Sequence, residues 1–393
     1  MAARIRVALL ADPLEEGWTS MDLVADMLME QFAEHHGDRF EVTMIRPGLS
    51  TRFRRGLGES GIGFSLDRLV TRFHGYPSLI RREQLRTRFD VFHIVDHTYG
   101  HLALELPADR TIITCHDIDA FRVICDPTVD RRGPVFRWMA ARQLSGLRSV
   151  VHVLCDSDAT RAEICEYGLA PEPRLVRVPL GVHPSCNASR NPAAVEELDV
   201  HLGFPIVGST VLLHVGSTIP RKRIDTLLQV FARLRRDWSS VHLVQAGGAL
   251  TASQVQMARD LGVLSHITQV PFLSRPVLAE LYRGCALLLQ PSSHEGFGLP
   301  VAEAMACGAV VVASDIPALR EVGGSAASFC SVGDVDAWCN AVDSLLRERS
   351  QHESTFRVRK VHAERHAAGF SWPAASHHVA RVYEAVYDER CQS

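Results

Sequence analysis

Residues 292–308 read SSHEGFGLPVAEAMACG, and two carboxylates, Glu295 and Glu303, stand on either side of a stretch holding two glycines, an aromatic and a proline. Pro300 suits the first turn of a helix, where its missing N–H would have had no partner, and the run GCALLLQ at 284–290 reads as a short buried strand ahead of it. The helix PVAEAMAC, closed by Gly308, then begins with several backbone N–H groups that have no intrahelical acceptor. Leu299, in the expected cap position, has no side-chain oxygen to take them. Gly296 and Gly298 remove side chains just before this end, so phosphate groups or sugar hydroxyls can approach the bare amides. Glu303 lies one turn in, its Cα–Cβ bond leaning toward the helix N-terminus, and Glu295 arrives from the strand side. Acids that accept from hydroxyls at the two halves of a ligand, with free amides between them for a diphosphate, describe a nucleotide sugar. Each acid also has a plainer reading: Glu303 as a helix-start acid favoured by the macrodipole, Glu295 as a solvated loop residue.

A second cluster lies upstream. HVGSTIPRKRID at 214–225 leads from a strand into a helix whose apolar positions Ile224, Leu227, Leu228, Phe231 and Leu234 share one face. Arg221, Lys222 and Arg223 therefore gather at a helix N-terminus, where each is unfavourable by about 0.3 to 1 kcal/mol. An anion should offset them, and a diphosphate held between this cluster and the amides after Gly298 would do so. The chain has 40 arginines and two lysines, Lys222 and Lys360. A lysine surviving in so arginine-biased a sequence marks a place for a compact point charge rather than a planar fork.

The elements that must position these groups follow a regular rhythm. RIRVALLA, FEVTMI, VFHIV, TIITC, VVHVLC and RLVRVPL read as strands, with helices over 20–34, 136–148 and 158–167. After PSCNASRNPAAVEELD at 184–199, whose turn-forming residues break the rhythm, a second block alternates from TVLLHVG to VVVASD, with helices near 222–236, 251–261 and 276–283. Such alternation implies α/β architecture: two doubly wound, largely parallel sheets, with the ligand crevice between facing strand ends. A length of 393 residues agrees, since single cores stop growing near ~250–300 residues. The expected division is 1–185, a linker at 186–199, a second domain at 200–371, and a closing helix at 372–393 that returns to the first domain.

Composition excludes several classes. No run of ~18 apolar residues exists to span a membrane, and MAARIRVALLADP has too short an apolar stretch for a signal peptide. The ten cysteines form no CxxC pair, which suits a reducing cytoplasm rather than a disulfide framework or zinc site. A net charge of −3 gives no case for nucleic acid. Residues 46–88 nevertheless hold ten arginines against Glu59, Asp67 and Glu83, interleaved with Phe53, Leu57, Phe64, Leu69, Phe73 and Tyr76. That excess suits peripheral contact with anionic lipid or an acidic acceptor, or else a solvated arginine-rich face.

GSTIPRKRIDTLLQVF, HEGFGLPVAEAMACGAVVVASDIPALREVGG and FSWPAASHHVARVYEAVY resemble the retaining glycosyltransferases of family 4, also called group 1, which have the GT-B fold of two Rossmann-like domains facing a central cleft. The likeness covers nearly the whole chain and is most specific in the Glu, seven residues, Glu pattern around Gly-Phe-Gly-Leu-Pro. It implies that Glu295 contacts donor-sugar hydroxyls, that Glu303 holds the nucleotide ribose, and that Arg221 and Lys222 hold the diphosphate. It places Gly216, Ser217, Phe272, Leu273, Gly296, Phe297, Gly298 and Leu299 on the donor side. Ser217 follows Gly216 where many members carry arginine.

In TIITCHDID, His116 and Asp117 resemble the family's His-Asp element on the acceptor side, which makes His116 the candidate to touch the transferring sugar; a hydrogen-bonded structural histidine is the plainer reading. ADPLEEGWTSMD supplies Gly17 and Trp18, and DHTYGH supplies His97 and Tyr99, to shape the acceptor pocket. Gly17 stands alone where many members have a glycine pair. Asp117-Ile-Asp119 and Asp334-Val-Asp336 each spell DxD, a metal motif of another glycosyltransferase fold. With cations already facing the phosphates, neither a metal nor a cofactor is expected. Retaining transfer needs a carboxylate nucleophile or a front-face path in which the departing phosphate takes the acceptor's proton, and the resemblance favours the second. The implied partners are a nucleotide sugar and a sugar or lipid acceptor. A sugar-nucleotide epimerase of the same fold and a non-catalytic nucleotide-sugar sensor are the other classes these motifs allow.

Overall fold

A computed structural model describes residues 4–57, 61–126, 128, 130 and 132–392. The chain divides into two compact units, Met1–Gly181 with Trp372–Ser393, and Val182–Ser371.

Unit 1 is built on six parallel strands, β1 (Ile5–Leu10), β2 (Phe40–Ile45), β3 (Val91–Ile94), β4 (Thr111–Cys115), β5 (His152–Cys155) and β6 (Leu175–Arg177), in the order β2-β1-β3-β4-β5-β6. Strands covered on both faces read as unbroken apolar runs, and every residue of β3 and β4 is buried. The order reverses between β1 and β3, and in open parallel sheets ligands bind beyond the carboxyl ends of the strands at such a reversal. The closing helix Trp372–Gln392 belongs to this unit: Tyr383 packs on Phe32 with ring centroids 5.3 Å apart, and its hydroxyl lies 2.7 Å from His93 Nδ1.

The arginine-rich segment folds into helices Arg54–Leu57, Ile62–Val70 and Tyr76–Arg86, which its composition did not announce. Its guanidinium groups pair locally: Arg46 with Asp22 and Asp26, Arg54 with buried Asp67, Arg68 and Arg72 with Glu16, Arg81 with Glu105, and Arg82 and Arg86 with Glu83. Fewer of these cations are uncommitted than the sequence suggests. Residues 58–60, Glu59 among them, and the side chain of Leu57 lie outside the described residues.

Unit 2 repeats the plan with β7 (Thr210–Gly216), β8 (Val241–Gly247), β9 (Ile267–Val270), β10 (Leu287–Gln290), β11 (Val310–Ser314) and β12 (Ala327–Cys330), all parallel, in the order β12-β11-β10-β7-β8-β9. Here the reversal falls between β7 and β10. Helix Ile224–Leu234 buries Ile224, Leu227, Leu228, Phe231 and Leu234, as the spacing predicts. Residues 186–199, expected as a linker, instead carry most of a helix, Pro192–Leu202, capped by the Asn191 side chain and burying Ala194, Leu198 and Leu202. Two of the turn-formers that suggested a linker start that helix: Asn191 caps it and Pro192 stands in its first turn. None of the described helices is long and apolar enough to cross a membrane.

Candidate functional site

The two stretches singled out from sequence meet at the strand reversal of unit 2, because β7 and β10 are paired neighbours and each feeds one of them. β10 ends at Gln290, and the chain then runs through Ser292 and Glu295 to helix Leu299–Ala306. The cap of that helix is Gly298, not Leu299: Gly298 has φ 104° and Leu299 already lies in the first turn. A Cβ at Gly298 would sit 2.7 Å from Leu319 Cδ2, so both conformation and space favour glycine. No side chain caps the helix, and its leading amides receive no such acceptor.

Glu295 is 8% exposed, which rules out a solvated loop residue. Its Oε1 accepts from Lys222 Nζ at 2.6 Å, Gln290 Nε2 at 2.7 Å and Ser292 Oγ at 2.7 Å, while Oε2 accepts from Arg221 at 3.4 Å. Burial alone would raise its pKa, but Lys222 and Arg221 outweigh it and hold the carboxyl at about 2. Oε1 is saturated, and Oε2 is the side with capacity for a ligand hydroxyl. The anion expected to offset the cations is thus Glu295 itself, for Lys222 and Arg221, while Asp225 takes Arg223 in a bidentate pair at 3.0 and 2.8 Å. Pro220–Lys222 forms a single helical turn, and the main helix begins only after Arg223, whose φ of 50° is the one positive value at a non-glycine among the described residues.

Glu303 is buried one turn into the Leu299–Ala306 helix. The Tyr282 hydroxyl donates to its Oε2 at 3.0 Å and Arg275 to its Oε1 at 3.4 Å. Burial still keeps its pKa above the ordinary carboxyl value, against the pull of Arg275 and Tyr282. Around them, the ends of β7 and β8 touch backbone to backbone, since a Cβ on Gly248 would lie 3.0 Å from Ser217 Cα. Gly216 has φ 145°, on which an added side chain would be strained. Of the donor-side aromatics, Phe297 is buried edge-on against Phe370, with centroids 5.7 Å apart, whereas Phe272 is 63% exposed in the loop before helix Arg275–Gly284, beside half-buried Leu273. Gly296 lies in the buried turn between Glu295 and Phe297.

Sequence reasoning missed Gln290, Ser292, Tyr282 and Arg275. Gln290 carried a legible signal: a lone amide closing an apolar strand must find a buried partner. Tyr282 and Arg275 gave none, because only the fold brings their helix beside Glu303.

In unit 1 the polar residues gather beyond the carboxyl ends of β1, β3, β4 and β5. His116 donates from Nδ1 to Asp156 at 2.6 Å and from Nε2 to the Val95 carbonyl at 2.8 Å. Both ring nitrogens are protonated and engaged; burial would depress the pKa, but Asp156 reverses this and raises it to about 9. The ring braces β4 to its neighbours, with both nitrogens engaged inside unit 1. His97 Nδ1 lies 3.4 Å from the His116 backbone N and 3.3 Å from Asp96 Oδ1, while Nε2 makes no hydrogen bond and lies 3.9 Å from Asp117 Oδ1. Tyr99 is a buried strut rather than a pocket wall, donating to Glu16 at 2.6 Å beneath the Arg72 guanidinium. Gly17, with φ 71°, closes the turn Leu14–Glu16, and half-exposed Trp18 donates to Glu16 at 2.9 Å. Asp12 and Asp96 are buried together: burial and the Asp96 carboxylate push Asp12 well up, while Asp96 is held at about 2 by His97 and His116 despite its own burial.

Both DxD triplets have local duties. Asp117 accepts from the Asp119 backbone N–H at 2.9 Å and Asp119 faces Arg132, while Asp334 caps helix Val335–Gln351 and Asp336 pairs with Arg233.

The profile of glycosyl transferases group 1 matches residues 205–359, and that of glycosyltransferase family 4 matches residues 25–185. The D-inositol 3-phosphate glycosyltransferase of Mycobacterium tuberculosis (strain H37Rv) is 30% identical over 299 residues, 74% of this chain and 60% of that protein. The chain thus spans 60% of the length of the curated relatives it matches. Among solved structures, sucrose-phosphate synthase from Thermosynechococcus elongatus has TM-score 0.76 at 17% identity, covering 98% of this chain and 100% of that one. Anabaena HepE in complex with UDP and glucose has TM-score 0.71 at 16% identity, covering 97% and 100%. These structural likenesses define the class: a GT-B protein of two Rossmann-like domains. More narrowly, the two profiles decide the family, and the chain belongs to the group 1, or family 4, glycosyltransferases.

Proposed function

We propose that this protein transfers a sugar, with retention of anomeric configuration, from a nucleoside diphosphate sugar to a hydroxyl of a glycan, glycolipid or small metabolite. The observation that carries the reading is the meeting of Glu295, Lys222 and Arg221 with the uncapped N-terminus of helix Leu299–Ala306 at the strand reversal of unit 2. Glu303, braced by Tyr282 and Arg275, accepts from the ribose hydroxyls. Arg221, Lys222 and the leading amides take the diphosphate, and Glu295 Oε2 takes a hydroxyl of the donor sugar. The bond from the anomeric carbon to the phosphate oxygen breaks as the acceptor oxygen bonds on the same face, and the departing phosphate receives the acceptor's proton. The chain's part is to position the two substrates and to stabilise charge growing on the diphosphate, which the two cations do without a metal. In unit 1, His97 Nε2 and Asp117 meet the acceptor in this reading, which their position beyond the carboxyl ends of the strands supports.

Incubation with a panel of nucleotide sugars, with and without candidate hydroxyl acceptors and with chelator, tests the reading by proton NMR of the product. Transfer with retained configuration in chelator supports it. Sugar release or epimerisation that ignores the acceptor, inversion, or a strict metal requirement overturns it.

A further inference from the structure

β7 carries a buried histidine, His214, with no exposed surface. Its Nδ1 lies 2.7 Å from Gln245 Oε1. The far end of Gln245 fixes which way that amide points: Nε2 faces the carbonyl oxygens of Gly216 at 2.9 Å and of Ala246 and Gly248 at 3.4 Å, all acceptors. The oxygen must therefore face the ring, Nδ1 must carry the proton, and Nε2 is left as a bare lone pair. No hydrogen bond reaches that lone pair. Burial and the neighbouring Lys222 charge hold the ring at about 4, so it stays neutral near pH 7.

Lys222 is close by. The point that a Cβ on Gly216 would occupy lies 3.8 Å from His214 Cε1, 3.7 Å from Lys222 Cε and 3.8 Å from Lys222 Nζ. Imidazole and ammonium thus wall the same gap beside Gly216. An ammonium has three donors, and the protein shows one of them committed, to Glu295 Oε1 at 2.6 Å.

Resting on the donor site proposed above, we propose that His214 is a positioning residue for Lys222: as the diphosphate of a nucleoside diphosphate sugar draws the ammonium away from Glu295, the bare Nε2 accepts one of its protons and aims the others at the diphosphate. Gln245 sets the tautomer that makes this possible, and Gly216 leaves the gap through which the two side chains meet. A guanidinium could not occupy that gap with the same freedom, which gives a second reason for lysine at this position.

The wild-type protein with ¹⁵N-labelled histidine provides the test, using uridine diphosphate and guanosine diphosphate as probes and His214→Leu to assign the signal. Saturation with whichever diphosphate binds should move the Nε2 resonance toward its hydrogen-bonded range while Nδ1 keeps its proton, and Lys222→Met should abolish the movement. His214→Leu should lower kcat at saturating donor about tenfold while changing diphosphate affinity by less than about threefold, the split expected when an interaction matters mainly in the transition state. A diphosphate that binds without moving Nε2, or wild-type kcat in His214→Leu, would overturn the inference and leave the donor site standing. Failure of both diphosphates to bind would overturn the donor site and this inference with it.

Discussion

Lys222 Nζ and Glu295 Oε1 lie 2.6 Å apart inside unit 2, so the lysine that sequence singled out is neutralised by the carboxylate that sequence assigned to the donor sugar. The two motifs form one device. Taking both charges out of water is costly, and here Gln290, Ser292 and Arg221 add the further hydrogen bonds that such a pair needs. A ligand bearing hydroxyls and a diphosphate could divide the pair, giving the carboxylate a hydroxyl and the ammonium a phosphate.

Lys222→Ala should therefore lower turnover by more than it weakens donor binding, since the leaving group's charge grows in the transition state. It should also cost about 3–5 kcal/mol of stability, because Glu295 is left buried without its main partner. The double variant Lys222→Met with Glu295→Gln should recover much of that stability without activity. Lys222→Arg should rescue the rate only in part. Thermal unfolding beside kinetics at saturating donor checks all three. Near wild-type turnover in Lys222→Ala would assign the phosphate to Arg221 or Arg223 instead.

The acids should divide the ligand between them. Glu303→Ala should weaken binding of the free nucleoside diphosphate by roughly tenfold or more, the worth of hydrogen bonds to a charged acceptor. Glu295→Ala should leave that affinity nearly intact and reduce turnover, because its ligand partner is the sugar. Calorimetry with nucleoside diphosphate on both variants is the measurement, and equal losses would refute the division.

How far the sequence reached depends on how local each determinant is. Apolar runs announced β1, β3, β4 and β5, because a strand covered on both faces needs them, whereas β2, FEVTMI at the sheet edge, showed itself by alternation. Ala327–Cys330 was missed: its first three residues are only half-buried, and Ala-Ser-Phe-Cys offers no β-branched side chain. Glu295 and Glu303 were legible from glycine, proline and spacing within one turn. The partners of His116, Asp156 and the Val95 carbonyl, were beyond local reasoning, since they lie 40 and 21 residues away. His97, whose buried Nε2 makes no hydrogen bond, differs from His116 only in what the fold places around it. The cations' partner was likewise beyond local reasoning, since Lys222 and Glu295 are 73 residues apart.

Gly298→Ala tests whether the bare helix start matters as backbone. At φ 104° a Cβ is strained, and Leu319 must also move, so a loss of about 1–2 kcal/mol in stability is expected. Donor affinity should fall further than stability alone explains, because the amides after Gly298 turn with it. Unchanged diphosphate binding by calorimetry would mean that these amides hold no phosphate.

The His116–Asp156 pair makes a prediction for unit 1 that stands apart from any ligand. The folded pKa of His116, about 9, lies above its ordinary 6.5, so the proton favours the folded state. That stabilisation is fully present below pH 6.5 and is lost as pH rises through 9, with a full size on the order of 3 kcal/mol. Asp12 has the same sign, since its raised carboxyl also binds its proton more tightly when folded, so the comparison is best made in an Asp12→Asn background. Glu295, held at about 2, acts only at the acid end, where its contribution is lost as pH falls from 4.5 toward 2. Denaturant unfolding from pH 6 to 10 should show a decline above pH 6.5 that Asp156→Asn flattens, because the ring then loses the carboxylate that keeps it charged. Equal slopes in the two proteins would show that His116 is neutral in the folded state, which would return one of its nitrogens to the acceptor side.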